Sequence, residues 1–144
     1  MLDEFLRTLV NQYAKRKIGR TFVAARPDDA RILGYYTLAS SSIPFMNMPE
    51  KHAKKLPRQH VPVTLLGRVA VDRTMQGQGL GLELLLDALR RCLRLSEEIG
   101  SFAVEVRAID HAAKRFYEKL GFTPLLDDEL HLFLPLQTVE NVFA

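Results

Sequence analysis

A glycine-rich hexapeptide between an apolar run and a leucine-rich run constrains the fold more than any other feature of this chain. The hexapeptide, Gln-Gly-Gln-Gly-Leu-Gly, occupies residues 76–81; the apolar run covers Val61 to Val71, and the leucine-rich run covers Leu82 to Ile99. The first run suits a buried strand and the second recurs at helical spacing, so the order is strand, glycine loop, helix. Glycines let the backbone approach a ligand, and the helix start offers free N–H groups and a positive dipole end. The sequence therefore predicts an anion site at residues 76–81.

Two common phosphate-binding loops do not match this hexapeptide. A Walker loop needs Lys and then Ser or Thr after its last glycine, whereas Leu82 and Glu83 follow Gly81. A dinucleotide fingerprint needs a third glycine at position 82, which is also absent. Taken alone, the hexapeptide is either an anion loop of another kind or a glycine turn that binds nothing.

The remaining periodicity predicts one α/β domain over residues 1–144, with a mixed sheet and no internal repeat. Asp110 is predicted to cap a helix that ends at Gly121, and Gly100 to end the preceding helix in a left-handed conformation. Strand 61–71, helix 80–99 and strand 101–107 form a predicted right-handed βαβ unit. The other predicted elements are an amphipathic helix over residues 2–13, a hairpin of strands 21–25 and 32–39 around a turn at 26–29, one helical turn around 50–56, and strands from 122 and over 130–136.

Charge is distributed unevenly along the chain. The net charge is +3, yet residues 125–144 hold four acids and no Lys or Arg, so residues 1–124 carry a balance of +7. A basic body attracts polyanions, although many proteins simply have a solvated basic surface. Residues 40–59 form a predicted exposed, basic excursion, interpreted either as a solvated connector or as a lip that faces a polyanion.

The remaining chemistry-bearing residues indicate no second site. His52, His60, His111 and His131 lack metal-ligand spacing and are predicted to be ordinary surface or capping histidines, so no metal is expected. Cys92, the only cysteine, lies on an apolar helical stripe and is predicted to be a core residue. A single cysteine, no basic leader at the start and no membrane-length apolar run favour a cytoplasmic protein that does not enter a membrane.

Two motifs together resemble the GNAT superfamily of N-acetyltransferases. Gln76, Gly79 and Gly81 match the Gln/Arg-x-x-Gly-x-Gly/Ala signature that holds the pyrophosphate of acetyl-coenzyme A in that family. The segment from Ala112 to Phe122 resembles the Ala-x-x-Phe/Leu-Tyr-x-x-x-Gly-Phe segment that closes the coenzyme A site, at the family's distance from the loop. Two motifs at this separation are far stronger than either alone.

Three further stretches resemble the GNAT toxins of bacterial toxin–antitoxin pairs: residues 34–40, 62–72 and 132–136. The resemblance implies acetylation of the amino group of aminoacyl-tRNA, a ribbon-helix-helix antitoxin, operator DNA bound only through the antitoxin complex, and a homodimer. It covers nearly the whole chain from Leu2. The family's first strand and its Cys-Gly turn have no counterpart here, so the GNAT fold is expected with that strand absent.

The resemblance also assigns residues to acetyl-CoA, the implied acetyl donor. The backbone at Val69 to Val71 is expected to grip the pantetheine arm, and Tyr117 to protonate the leaving thiolate as general acid. The implied acetyl-CoA contacts are Val69, Ala70, Val71, Gln76, Gly77, Gln78, Gly79, Leu80, Gly81, Asp110, Ala113 and Phe116. The basic candidates for tRNA contact are Lys51, Lys54, Lys55, Arg58, Arg90, Arg91 and Arg94, the last three predicted to be exposed.

Alternatives remain open at this point. An α-amine has a pKa of ~7.7–8.0, so a substantial fraction is neutral near pH 7 and the absence of an obvious base leans towards an α-amine acceptor. Glu105 or a water could still serve as the base. The rival interpretations are a GNAT enzyme that acts on a small amine such as a polyamine or drug, and a catalytically silent module that binds acetyl-CoA or a partner protein.

Overall fold

A computed structural model describes residues 17–25 and 31–143 of the 144-residue chain. The described residues form two compact bodies, each made of separate chain segments. The first comprises residues 17–25, 31–40 and 66–89, and the second comprises residues 41–65 and 90–143. The prediction of a single domain over residues 1–144 stays a prediction.

Six strands and four helices are defined within the described residues. The strands are β1 (Arg20–Ala25), β2 (Ile32–Pro44), β3 (His60–Val71), β4 (Ala103–Arg107), β5 (Thr123–Pro124) and β6 (His131–Pro135). The helices are α1 (Glu50–Ala53), α2 (Leu80–Leu95), α3 (His111–Glu118) and α4 (Leu136–Phe143). Short 3-10 turns cover Phe45–Asn47 and Arg73–Met75.

The strands follow the order β1-β2-β3-β4-β6-β5 in a mixed sheet. β1 and β2 form the antiparallel hairpin that was predicted, with Arg20 opposite Leu38. β3 and β4 are parallel, as a βαβ unit requires, and their register runs from Val63 opposite Ala103 to Leu65 opposite Glu105. β6 pairs antiparallel with both β4 and β5. The predicted α/β fold with a mixed central sheet is confirmed.

Most predicted elements are present, but several differ from the prediction in length or burial. β2 extends to Pro44, five residues beyond the predicted strand, and helix α4 was not predicted. β3 is buried or half-buried on both faces only over residues 63–66, because positions 60, 62, 67 and 68 are exposed and 69–71 are half-buried. The predicted helix over residues 2–13 and the turn at 26–29 lie outside the described residues.

Helix α2 ends earlier than the leucine pattern predicted. It stops at Leu95, and the following amides tighten into i→i−3 bonds from Glu97 to Arg94 and from Glu98 to Leu95. Two acids at this end oppose the negative end of the helix dipole, which disfavours another helical turn. Gly100 does not have positive φ, so the predicted left-handed stop at this position is wrong.

Close backbone packing in the first body holds the start of α2 against the strands. A Cβ on Gly34 would lie 2.8 Å from both the Ala70 carbonyl oxygen and Leu84 Cδ1, so only glycine fits without displacement. The hydroxyl of the buried Tyr36 donates to Asp87 Oδ2 over 2.5 Å, which ties β2 to α2. These contacts hold α2, and with it the glycine loop at its start, against β2 and β3.

The core of the second body lies under the basic segment 45–59. Its buried apolar residues form one cluster, and the partly buried Leu56 and Phe102 pack against that cluster. His52 on α1 packs edge-on against Phe133 with ring centroids 5.2 Å apart, and burial followed by the charge of Lys51 lowers the pKa of its imidazole. The segment is thus anchored rather than a free connector. The cluster comprises Ile43, Met48, Val61, Val63, Ala103, Leu125 and Phe133.

Cys92 is expected to resist alkylation in the folded protein at pH 8. Its side chain is completely buried, and burial raises the pKa of the thiol to about 12. The reactive thiolate is the deprotonated form, so a raised pKa leaves almost none of it at pH 8. Iodoacetamide labelling followed by mass spectrometry should show slow modification in native buffer and rapid modification in denaturant. Equally rapid labelling in both would contradict the buried position.

Candidate active site

The glycine loop has the backbone that its sequence predicted. Gly77 and Gly79 have φ of +80° and +82°, in the left-handed region that favours glycine. A Cβ on either residue would meet no atom within 4 Å, so conformation rather than crowding requires glycine here. Residues 76–79 are all exposed on the first body.

Two glutamine side chains of this loop donate hydrogen bonds to the backbone that precedes the loop. Gln76 Nε2 donates to the Val71 carbonyl at 3.5 Å, and Gln78 Nε2 donates to the Thr74 carbonyl at 3.3 Å. Glu83 N–H donates to the Gly79 carbonyl as α2 begins. The first N–H groups of any α-helix lack intrahelical acceptors, and here they follow directly on the two left-handed glycines. This arrangement can hold a diphosphate without a lysine.

Arg31 supports the same region, a role that sequence reasoning missed. Its guanidinium donates to Asp72 Oδ2 and to Thr74 Oγ1, both at 2.6 Å. The hydrogen bond from Thr74, and then the one from Arg31, lower the pKa of the Asp72 carboxyl. The partners are more than 40 residues apart. No local pattern could have signalled the contact.

Helix α3 in the second body presents the predicted general acid. Asp110 caps the helix as predicted, because its carboxylate accepts from the Ala113 N–H at 2.8 Å. Gly121 has φ of +102°, the left-handed conformation that was predicted, and the Phe122 N–H returns to the Tyr117 carbonyl. The helix itself ends at Glu118, a little before the predicted end. Both ends of the helix are thus set by local contacts that fix the position of Tyr117.

Tyr117 is half-buried among aromatic rings. Its ring centroid lies 5.5 Å from that of Phe116 and 5.4 Å from that of Phe122. Desolvation raises the pKa of its phenol, and no hydrogen bond from its hydroxyl to another described residue is present. The phenol therefore remains protonated at neutral pH and has a proton free to donate.

The predicted tRNA contacts all belong to the second body. Lys51, Lys54, Lys55 and Arg58 are exposed on and after α1. On α2, Arg90 and Arg94 are exposed, but Arg91 is half-buried, so its predicted exposure is wrong. The Arg90 guanidinium lies 4.6 Å from the centroid of the Phe143 ring on α4, a cation–π contact that sets its direction.

His131 contradicts the prediction that all four histidines are ordinary surface or capping residues. It is 3% exposed, and its Nε2 lies 2.5 Å from Glu105 Oε2 while its Nδ1 lies 2.9 Å from Asp127 Oδ2. The contact with Glu105 joins β6 to β4 across 26 residues of sequence, so spacing could not reveal it. In contrast, His111 is exposed beside Glu129, as an ordinary surface histidine.

Within residues 17–25 and 31–143, no group of three His, Cys, Asp or Glu side chains is arranged to hold a metal ion. No helix within the same ranges is long and apolar enough to cross a membrane.

The sequence matches the model of a protein family described as "Acetyltransferase (GNAT) family" over residues 3–122, which is most of the chain. The chain belongs to the GNAT acetyltransferase family. The left-handed glycines and the capped helix α3 both lie within the matched residues.

Similar proteins share almost the whole length of this GNAT chain. A tRNA-acetylating toxin of Mycobacterium tuberculosis is 40% identical over 92% of this chain and 78% of its own length. AtaT complexed with acetyl-methionyl-tRNAfMet is 36% identical with a TM-score of 0.91, covering 99% of this chain and 86% of AtaT.

Two more solved structures of the same kind contain bound partners. A mutant AtaT bound to the C-terminus of the antitoxin AtaR and acetyl-CoA is 34% identical with a TM-score of 0.79, covering 99% of this chain and 83% of that one. The AtaT–AtaR complex bound to DNA is 33% identical with a TM-score of 0.77, covering 97% of this chain and 83% of the matched chain.

Proposed function

We propose that this protein is an acetyl-CoA-dependent N-acetyltransferase that modifies the α-amino group of aminoacyl-tRNA and thereby stops translation. The observation that carries the proposal is the likeness to AtaT over 99% of the chain, because AtaT is solved with acetyl-methionyl-tRNAfMet. The second support is the 40% identity to a tRNA-acetylating toxin.

The residues of the first body fit an acetyl-CoA diphosphate. The loop amides around Gly77 and Gly79 are held in left-handed conformations with open space beside them, which suits an anion that collects several backbone hydrogen bonds. The backbone of residues 69–71 is proposed to hold the pantetheine arm, and residues 76–81 the diphosphate. Acetyl-CoA supplies the acetyl thioester.

Helix α3 is proposed to supply the acid and further cofactor contacts. Asp110, Ala113 and Phe116 on or before α3 contribute to acetyl-CoA binding, and Tyr117 donates a proton to the sulfur that leaves. A phenol whose pKa is raised by burial holds that proton through the neutral range and gives it up only as negative charge develops on sulfur.

An α-amine suits this set of residues better than a lysine-like amine does. Its pKa of ~7.7–8.0 leaves a reactive neutral fraction near pH 7, whereas an ε-amine near ~10.4 is almost fully protonated. Exposed lysines and arginines of the second body, which include Lys54 and Arg94, would contact the tRNA backbone.

The protein is also proposed to act with partners in the cytoplasm. A ribbon-helix-helix antitoxin would neutralise the enzyme, and the pair would bind operator DNA only through that complex, in line with the solved AtaT–AtaR assembly on DNA. The toxin itself would be a homodimer in the cytoplasm.

The decisive experiment compares acetyl acceptors under one set of conditions. Purified protein is incubated with [14C]acetyl-CoA and charged tRNA, uncharged tRNA, or spermidine. Label on charged tRNA alone, lost after deacylation of the tRNA, is the expected result. Label on spermidine but not on charged tRNA would overturn the tRNA assignment in favour of a small-amine enzyme. No label on any amine would favour a silent binding module.

Charge reversal at Lys54 and Lys55 is expected to weaken tRNA binding and to make that binding less dependent on salt concentration. The KM for charged tRNA should rise about tenfold or more at low salt, and the log–log salt slope should become shallower by roughly two, because two phosphate contacts are removed. The KM for acetyl-CoA should not change. Reversal of the exposed Lys17 and Arg20, in the first body, is the matched control. Equal effects of the two double variants would contradict a specific tRNA surface.

A further inference from the structure

Arg31, which directly precedes β2, completes a ring of hydrogen bonds with two residues that lie between β3 and the glycine loop. Its Nη2 donates to Asp72 Oδ2 and to Thr74 Oγ1, both at 2.6 Å. The Thr74 hydroxyl donates in turn to the same oxygen of Asp72. The Asp72 N–H also donates to the Leu33 carbonyl at 2.8 Å. The start of β2 therefore holds the residue that follows β3 at two points, all within the first body.

The ring is connected to the glycine loop through one tight turn. Residues 73–75 form the 3-10 turn that precedes the loop. The Gln76 N–H donates to the Arg73 carbonyl at 3.3 Å, and Gln78 Nε2 donates to the Thr74 carbonyl at 3.3 Å. Gln78 lies between the two left-handed glycines. A shift of Thr74 would therefore move the backbone amides that are proposed to hold the diphosphate.

Asp72 places a negative charge just before a loop that is proposed to bind an anion. The hydrogen bonds from Thr74 and then Arg31 lower the pKa of its carboxyl, so the group is a carboxylate at neutral pH. Residues 76–81 contain no basic side chain that could offset this charge. A carboxylate near the start of α2 opposes the positive dipole end that favours an anion there. The Arg31 guanidinium cancels the charge of Asp72 at close range.

We propose that Arg31 is a positioning residue for the acetyl donor, which it favours by neutralising Asp72 and fixing the turn before the glycine loop. This inference rests on the proposed acetyl-CoA-dependent function. Arg31 acts through Asp72 and Thr74 and is not itself a ligand of the donor. Both of its hydrogen bonds start from a single nitrogen, so the planar fork of the guanidinium is not required and a lysine ammonium can replace it in part.

The test is calorimetric titration of acetyl-CoA into wild type and Arg31 variants. Arg31→Ala and Arg31→Gln should weaken binding about five- to tenfold, a modest loss because water screens partly exposed charges. Arg31→Lys keeps the charge and should stay within about twofold of wild type. Adding Asp72→Asn to Arg31→Ala should recover most of the loss, because it removes the uncompensated carboxylate. Arg20→Ala, which removes an exposed arginine from the same body, is the control and should bind like wild type.

Fragments of the donor show which part of the ligand depends on Arg31. The loss in Arg31→Ala should be the same for acetyl-CoA and for its 3′-dephospho form, which keeps the diphosphate. It should disappear for S-acetylpantetheine, which has no diphosphate and whose weak binding is measured by ligand-observed NMR. An equal loss for S-acetylpantetheine would indicate a general structural effect. A loss that vanishes for the 3′-dephospho form would indicate direct contact with the 3′-phosphate. Either result would overturn the proposal.

Two further results would overturn it: unchanged acetyl-CoA affinity in Arg31→Ala, or a double variant with Asp72→Asn that binds no better than Arg31→Ala alone. Thermal melting checks folding, and if Arg31→Ala does not fold, the comparison of Arg31→Gln with Arg31→Lys decides the question. The kcat for charged tRNA at saturating acetyl-CoA should be unchanged in every folded variant. The titrations need no acceptor, so they judge Arg31 even where wild type labels no amine and the proposed function fails.

Discussion

Replacing Tyr117 with phenylalanine is expected to lower kcat about 100- to 1,000-fold, with the KM for acetyl-CoA changed by less than about twofold. The substitution removes one hydroxyl and leaves the ring in its contacts with Phe116 and Phe122. The hydroxyl has no hydrogen bond to another described residue, so its loss should leave the melting temperature nearly unchanged. Steady-state kinetics and thermal melting measure the two effects.

Tyr36→Phe is the matched control for this prediction. The Tyr36 hydroxyl donates to Asp87, so its removal should destabilise the protein by about 1 kcal/mol while kcat is retained. A retained kcat in Tyr117→Phe would mean that another group protonates the sulfur.

The raised pKa of the Tyr117 phenol also predicts the alkaline side of the pH profile. Burial disfavours the phenolate, so the acid form is present below the raised pKa and is lost only as the pH climbs past it. Wild-type kcat should therefore show no decline from this group below about pH 10, the ordinary pKa of tyrosine. A decline between pH 8 and 9 that is absent in Tyr117→Phe would contradict this environment.

Replacing Gly79 with alanine is expected to weaken acetyl-CoA binding about tenfold or more. Alanine in the left-handed conformation costs about 1–2 kcal/mol, so the loop would shift away from the φ of +82° that aims its amides. No atom lies within 4 Å of the added Cβ, which excludes a clash as the cause. Calorimetric titration with acetyl-CoA measures the affinity.

Gly100→Ala is the control for the glycine loop. Its Cβ would also meet open space, but its φ is not positive, so neither affinity nor stability should fall. The comparison isolates backbone conformation from the effect of adding a methyl group. Unchanged affinity in Gly79→Ala would argue that residues 76–81 do not hold the diphosphate.

Local signals account for the parts of the site that could be predicted. Gly77, Gly79 and Gly121 were identified because a left-handed residue is most often glycine, and Asp110 because a cap acts on the helix that follows it. Periodicity predicted most of the strands and α2. The same local reasoning failed at Gly100, where the acids Glu97 and Glu98 had already ended the helix.

The sequence by itself determined the family, the order of strand, glycine loop and helix, and the candidate acid Tyr117, because each depends on short motifs and on their spacing along the chain. Only the tertiary structure decided that Arg31 braces the loop and that His131 is buried between Glu105 and Asp127. The Arg31 and Glu105 contacts join residues 41 and 26 positions apart, through strands that pack side by side. Their existence depends on sheet register and burial, and no spacing within one segment encodes either.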